Sequence, residues 1–164
     1  MANGETFWPN HENGNPVNDG EVIPLWDMSP DKLTLFIDEC EEKGVTFVAC
    51  EWGGPDYQTL ANDERITLLT CLRHPIKRLV SNYNYDHYWM WTKAKSYEEY
   101  LAAGHLHSSP EYYTKIFARG ETSLTKAISN IALFDHVIIA EEGMEILDEL
   151  GWKKDSDTTH PTFG

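Results

Sequence analysis

The sequence predicts an α/β fold with a mainly parallel sheet flanked by helices. Three apolar runs rich in β-branched residues, at 45–50, 66–72 and 136–140, read as buried strands. Stretches with helical periodicity and capping residues separate them, and strands alternating with helices imply parallel pairing through crossovers. A chain of 164 residues is long enough for one domain with its own core.

The first 24 residues are rich in Asn, Gly and Pro, so residues 1–28 are expected to form an extended or poorly ordered arm, with 29–164 as a single α/β domain. Ser29 reads as an N-cap with Pro30 at the first helical position. Leu33, Phe36, Ile37 and Cys40 then mark an apolar helix face, and Gly44 ends it. Val45 to Cys50 is expected as a strand, followed by the turn-rich loop Trp52-Gly-Gly-Pro-Asp-Tyr57. The strand from Ile66 to Leu72 runs into Arg73, and Pro75 opens a helix with Ile76, Leu79, Val80 and Tyr83 on one face. Ser96 caps a short helix, with Glu99 at the capping-box position. Residues 110–119 and 121–132 read as helical, His136 to Ala140 as a third strand, and Met144 to Leu150 as a last helix closed by Gly151.

Charge is unevenly placed. The chain carries −14 overall, from 13 basic and 27 acidic side chains. Between Arg65 and Lys95 stand six basic residues and one acidic, Asp86, a net +5 that leaves −19 elsewhere. Such an island marks a local anion site and argues against nucleic-acid binding, which needs a broad positive footprint. No apolar run approaches the roughly 20 residues that span a bilayer, and the first residues lack the pattern of a signal peptide. Cys40, Cys50 and Cys71 have no metal-site spacing, and Cys50 and Cys71, in expected buried strands, read as core thiols. The seven histidines complete no metal pattern with carboxylates, so no metal is expected.

The island's chemistry centres on Arg73. It stands at the carboxyl end of a strand and the amino end of a helix, where backbone N–H groups and the helix dipole favour an anion. Lys77, Arg78 and Ser81 follow on the first two turns and add donors. In such sheets ligands bind beyond the carboxyl ends of the strands. Glu51 and Arg73 each end a strand and are expected to face one crevice, while Glu141 and Glu142 end the third.

The order Arg73-His-Pro75-x-x-Arg78-x-x-Ser81-x-Tyr83 resembles the 3′-phosphate-binding motif of sulfotransferases that use 3′-phosphoadenosine 5′-phosphosulfate, PAPS. By that resemblance the fold is sulfotransferase-like, related to the P-loop kinases. Arg73 and Ser81 would grip the 3′-phosphate, supported by Arg78 and Lys77; Arg's rigid fork suits this better than Lys. Val48-Ala-Cys-Glu51-Trp52-Gly-Gly-Pro-Asp-Tyr57 resembles the strand end and loop that carry the base in glycan 2-O-sulfotransferases, with Glu51 where that family has His. Glu51 would then be the catalytic base; its other reading is a strand-end acid or a backbone cap. Ser96-Tyr-Glu-Glu-Tyr-Leu, Glu111-Tyr-Tyr-Thr-Lys and Phe134-Asp-His-Val-Ile-Ile-Ala-Glu-Glu resemble later family segments in the family's order. Lys153, Lys154 and His160 fall where a basic loop often covers the nucleotide.

One departure bears on both fold and chemistry. The family opens with a strand and a loop, roughly Pro-Lys-x-Gly-(Ser/Thr)-(Ser/Thr), that holds the 5′-phosphosulfate. Residues 1–44 contain no such loop, so the sheet reads as incomplete at the N-terminus. A longer chain, a partner chain, or loss of the reaction would each account for it. His87, Tyr88 and Trp52 are candidates for the acceptor side. The surrounding cluster of Tyr83, Tyr85, Tyr88, Trp89 and Trp91 reads either as a stacking surface for adenine or sugar, or as a packed helix face.

The resulting expectation is a sulfotransferase that moves a sulfuryl group from PAPS to a hydroxyl, with a carbohydrate as the expected acceptor, without a metal. The alternative is a non-catalytic, sulfotransferase-like subunit for nucleotide binding or assembly. The expected partners are a nucleotide and a glycan hydroxyl. The expected location is cytoplasmic and soluble for the chain as given, or the Golgi lumen within a larger eukaryotic enzyme.

Overall fold

The computed structural model describes residues 6–11, 14–104, 106–143 and 145–151. Among them are seven α-helices, two short 3-10 turns and four short strands, a mixed α/β architecture. The chain separates into two compact units. Unit one takes the residues up to Thr70 and Tyr113–Val137, and unit two takes Cys71–Tyr112 and the residues from Ile138 onward.

In unit one, described residues of the expected arm contribute to the core. Strands β1 (Val17–Asn18) and β2 (Glu21–Val22) form an antiparallel hairpin around Asp19-Gly20, both at positive φ. The Asn- and Gly-rich composition therefore serves tight turns. Trp8 is buried among Leu25, Leu33 and Phe36, and its indole Nε1–H donates to the Val17 carbonyl at 2.9 Å. Helix α1 (Pro30–Glu42) starts and stops as the residues dictate. Ser29 Oγ accepts from Lys32 N–H, and Gly44 leaves the helix at φ +65°. Its apolar face, Leu33, Phe36 and Ile37, is buried.

Val45 to Cys50 is not a strand. Phe47 makes one isolated parallel bridge, to Phe7. Thr46 and Phe47 both donate to the Thr6 carbonyl, and Phe47 O accepts from Trp8 N–H, so the segment pairs along this short stretch of the N-terminal chain. A helix follows the turn-rich loop: α2 (Tyr57–Ala61), capped by Asp56, whose Oδ1 accepts from Thr59 N–H at 3.0 Å. Helices α5 (Tyr112–Phe117) and α6 (Leu124–Ile131) contribute Phe117 and Ala127 to the interior. There Tyr57, Phe117 and Phe134 pack ring against ring.

The parallel sheet has two strands, β3 (Leu69–Leu72) and β4 (His136–Ile139). The unit boundary falls inside both. His136 N–H donates to Leu68 O on the unit-one side, and Ala140 N–H to Leu72 O on the other. Unit two adds α3 (Pro75–Tyr88), α4 (Tyr97–Ala102) and α7 (Glu145–Glu149). Ser96 caps α4 by accepting from Glu99 N–H, while the Glu99 carboxylate turns back to Lys95 N–H, one residue before the cap.

Helix α3 departs from its expected face in part: Leu79 and Tyr83 are half-buried, but the other two positions are not. Ile76 is 67% exposed and Val80 is also exposed, while the buried positions are Arg78 and Asp86. The inward row is Arg78, Asn82 and Asp86, spaced four apart on one face. It buries because each member has a polar partner. Arg78 Nη1 and Nη2 donate to His107 O and Ser109 O, both at 2.8 Å, and Asn82 Nδ2 donates to His107 O at 3.2 Å. Asp86 Oδ2 accepts from Tyr100 Oη–H at 2.6 Å.

Candidate functional site

The carboxyl end of β3 delivers Arg73 to the start of α3, as its position in the sequence implies. The anion held there is the protein's own. Glu141, which follows β4, accepts from Arg73 Nε at 3.2 Å through Oε1 and from His74 N–H at 2.9 Å through Oε2. The His74 N–H, joined by Arg73 and by the charge of Lys77, holds the Glu141 carboxyl below its ordinary range, against the opposing effect of burial. Two donors of different kinds thus converge on one oxyanion. The sequence puts Glu141 at the end of the third strand but carries no sign of this role, because pairing of β3 with β4 is what brings it to Arg73.

The other motif residues divide in function. Lys77 is exposed on the first turn of α3, and Ser81 is half-buried on the second. Arg78 is buried, with its guanidinium clamping the 107–109 segment and lying 4.5 Å from the centre of the Tyr112 ring. Its two bonds hold the backbone of that segment. Arg65, the first residue of the basic island, belongs to unit one and is committed to Asp38, Glu41 and Asp63 at 3.0, 2.5 and 2.7 Å. Its hydrogen bonds pull the Asp63 carboxyl down to about 2.

Asp86, the island's one acidic residue, is 3% exposed. Its Oδ2 accepts from Tyr100, whose phenol is pushed up first by burial and then by this carboxylate, and its Oδ1 lies 3.7 Å from His107 Nδ1. His87 Nε2 stands 2.5 Å from Ala94 O, and its ring packs edge-on against Tyr83. A carbonyl only accepts, so Nε2 carries the proton in this contact. His87 therefore staples the end of α3 to the following loop. Tyr88 is exposed.

Glu51 and Trp52 lie in unit one, on the loop before α2. Asn15 sets that loop. It is fully buried, and its Oδ1 accepts from Glu51 N–H at 2.9 Å and from Trp52 N–H at 3.1 Å. The Glu51 side chain is left on an exposed residue, and Trp52 is exposed with its ring near those of His11 and Trp26. Downstream, the Asp56 carboxylate caps α2 and pairs with Arg119 at 3.1 Å, which fixes the far side of the loop. No local signal marked Asn15, which acts 36 residues away.

Lys153, Lys154 and His160 lie outside the described residues. Among the described residues no cluster of His, Cys, Asp or Glu is arranged to hold a metal ion, and no helix is long and apolar enough to cross a membrane. No family model, curated protein or solved structure matches this chain.

Proposed function

We propose that this chain is a sulfotransferase-like domain that binds PAPS through the Arg73 cradle and transfers its sulfuryl group to a hydroxyl, on a carbohydrate acceptor. The observation that supports the reading most is Glu141. A carboxylate held by Arg73 Nε and His74 N–H shows that the donor set at the start of α3 is matched to an oxyanion. A phosphate oxygen presents the same acceptor geometry with more charge.

In this reading Arg73 and Ser81 hold the 3′-phosphate and Lys77 adds charge at its edge. Arg78 keeps the 107–109 backbone in place. Glu51 takes the proton from the acceptor hydroxyl as its oxygen bonds to sulfur. The bond from sulfur to the phosphate oxygen breaks in line, and 3′,5′-adenosine bisphosphate leaves. Residues 1–44 carry no phosphosulfate loop, so in this reading a longer chain or a partner chain would supply its electrostatic part.

The second reading, a non-catalytic nucleotide-binding or assembly subunit, draws on the same contact, because Glu141 already satisfies the cradle from within. Calorimetric titration of 3′,5′-adenosine bisphosphate and PAPS against the wild type and Arg73→Ala tests the first step. Binding lost in the variant supports the cradle, and no binding to the wild type ends the proposal. Nucleotide binding without transfer of radiolabelled sulfate to any acceptor favours the subunit. Loss of transfer in Glu51→Gln with nucleotide affinity intact supports Glu51 as the base.

A further inference from the structure

The inward row of α3 ends in a carboxylate that is only half satisfied. Asp86 is buried, and its Oδ2 accepts from Tyr100 Oη–H at 2.6 Å. Its Oδ1 is also shut off from water, and no described donor reaches it at hydrogen-bond distance. A buried acceptor without a donor is costly, the more so when it carries charge. The nitrogen that faces this oxygen is His107 Nδ1, at 3.7 Å. The His107 side chain is 35% exposed, so the ring exchanges protons with solvent although the carboxylate beside it does not meet water.

Charged and titratable groups meet this corner from each element packed on it. Helix α3 brings Asp86 and Arg78, α4 brings Tyr100, and Tyr112 lies against the Arg78 guanidinium. Arg78 turns Nη1 and Nη2 to the carbonyls of His107 and Ser109, so its fork holds main chain and leaves Asp86 Oδ1 without a bond. The Tyr100 phenol is pushed up, first by burial and then by Asp86, so it stays a neutral donor throughout the range in which histidine titrates. His87, one residue beyond Asp86, sets its Nε2 against Ala94 O instead. A neutral imidazole has one proton divided between two tautomers, whereas the charged ring always carries a donor at Nδ1. Closing the gap by about an ångström brings that donor to the length of a charged hydrogen bond.

We infer that His107 and Asp86 form a proton-operated latch: protonation of the His107 ring closes a charged hydrogen bond to Asp86 Oδ1 and fastens segment 107–109 to α3, and loss of the proton loosens that segment. The latch is independent of the nucleotide site. Its closed form binds one more proton than its open form. The added stability is therefore whole on the acid side of the histidine range and fades as pH rises through about 6 to 8.

Hydrogen exchange of the full chain, read by mass spectrometry at about pH 5.5 and about pH 8 and corrected for intrinsic rates, tests it. In the wild type, protection of the amides in 107–112 should fall about tenfold between the two, the low end of what one charged hydrogen bond contributes. Protection in α1, in the other unit, should hold. His107→Gln, a neutral side chain at a partly exposed position, should show the lower protection at both pH values, and Asp86→Asn should do the same. If Asp86→Asn fails to fold, His107→Gln carries the test. His87→Gln should keep the wild-type response. A wild-type segment whose protection ignores pH overturns the inference. So does a pH-dependent loss that persists in His107→Gln, that disappears in His87→Gln, or that α1 shares equally.

Discussion

Helices α1 and α3 have similar sequence signals and opposite packing. Each begins with proline at its first position and each presents an apolar row at helical spacing. In α1 that row, Leu33, Phe36 and Ile37, is buried, and Leu33 and Phe36 pack with Trp8 and Leu25. In α3 Ile76 and Val80 of the row face water, and Arg78 and Asp86 are buried in their place. An amphipathic pattern therefore indicates which face can bury at low cost. Which face does bury depends on what the neighbouring segments offer. Segment 107–109 offers two carbonyls to α3, and the Arg78 fork donates to both.

The sharpest way to break this comparison is to truncate one apolar residue on each helix. Phe36→Ala in α1 should cost about 3–5 kcal/mol in a urea titration, as transfer and cavity terms add. Ile76→Ser in α3 should change stability by no more than about 0.5 kcal/mol, because that side chain is already in water. Equal costs for the two would show that α3 buries its apolar face after all.

Arg78→Met comes next, at about 3 kcal/mol. The carbonyls of His107 and Ser109 would remain in place without their charged donors, each worth about 1.5–3 kcal/mol. Arg78→Lys should recover less than half, since one ammonium cannot reproduce the fork. Full recovery by lysine would mean that charge alone matters there.

These two helices also show how far the residues alone can be read. Caps and stops were legible at Ser29, Ser96 and Gly44, because capping is local chemistry between residues three or four apart. The strand before Arg73 and the placement of Arg73 at its end were legible for the same reason. The buried face of α3, the role of Asn15 under Glu51 and the seat of Glu141 were not. Each depends on a partner 25 to 67 residues away, and no period in the sequence encodes such a distance. Val45 to Cys50 failed differently. Its β-branched apolar character is real, but a strand needs a partner along its length, and Phe7 supplies one bridge.

A smaller effect is expected at the far end of α3. Tyr100→Phe removes the 2.6 Å donor to a carboxylate that stays buried, at a cost of about 2 kcal/mol. The double variant Tyr100→Phe/Asp86→Leu should be less damaged than the sum of the two single changes, because the stranded charge is removed with its donor. Additive losses in thermal unfolding would show that the pair acts as two separate packing groups.

The smallest change in stability and the most telling for function is expected at Glu141. Its folded carboxyl is held below the ordinary glutamate range, chiefly by His74 N–H. A depressed carboxyl stabilises the fold above its unfolded value, and that contribution fades as pH falls through the lowered folded one. The group lies at the surface, so the acid-side loss should be slight, and Glu141→Gln should flatten it. Nucleotide binding should move the other way. With Gln at 141 a phosphate no longer displaces a charge from Arg73, and affinity for 3′,5′-adenosine bisphosphate should rise about tenfold, near 1.4 kcal/mol. A fall in affinity instead would mean that Glu141 holds Arg73 in place for the phosphate, and that the cradle depends on its own acid in order to bind.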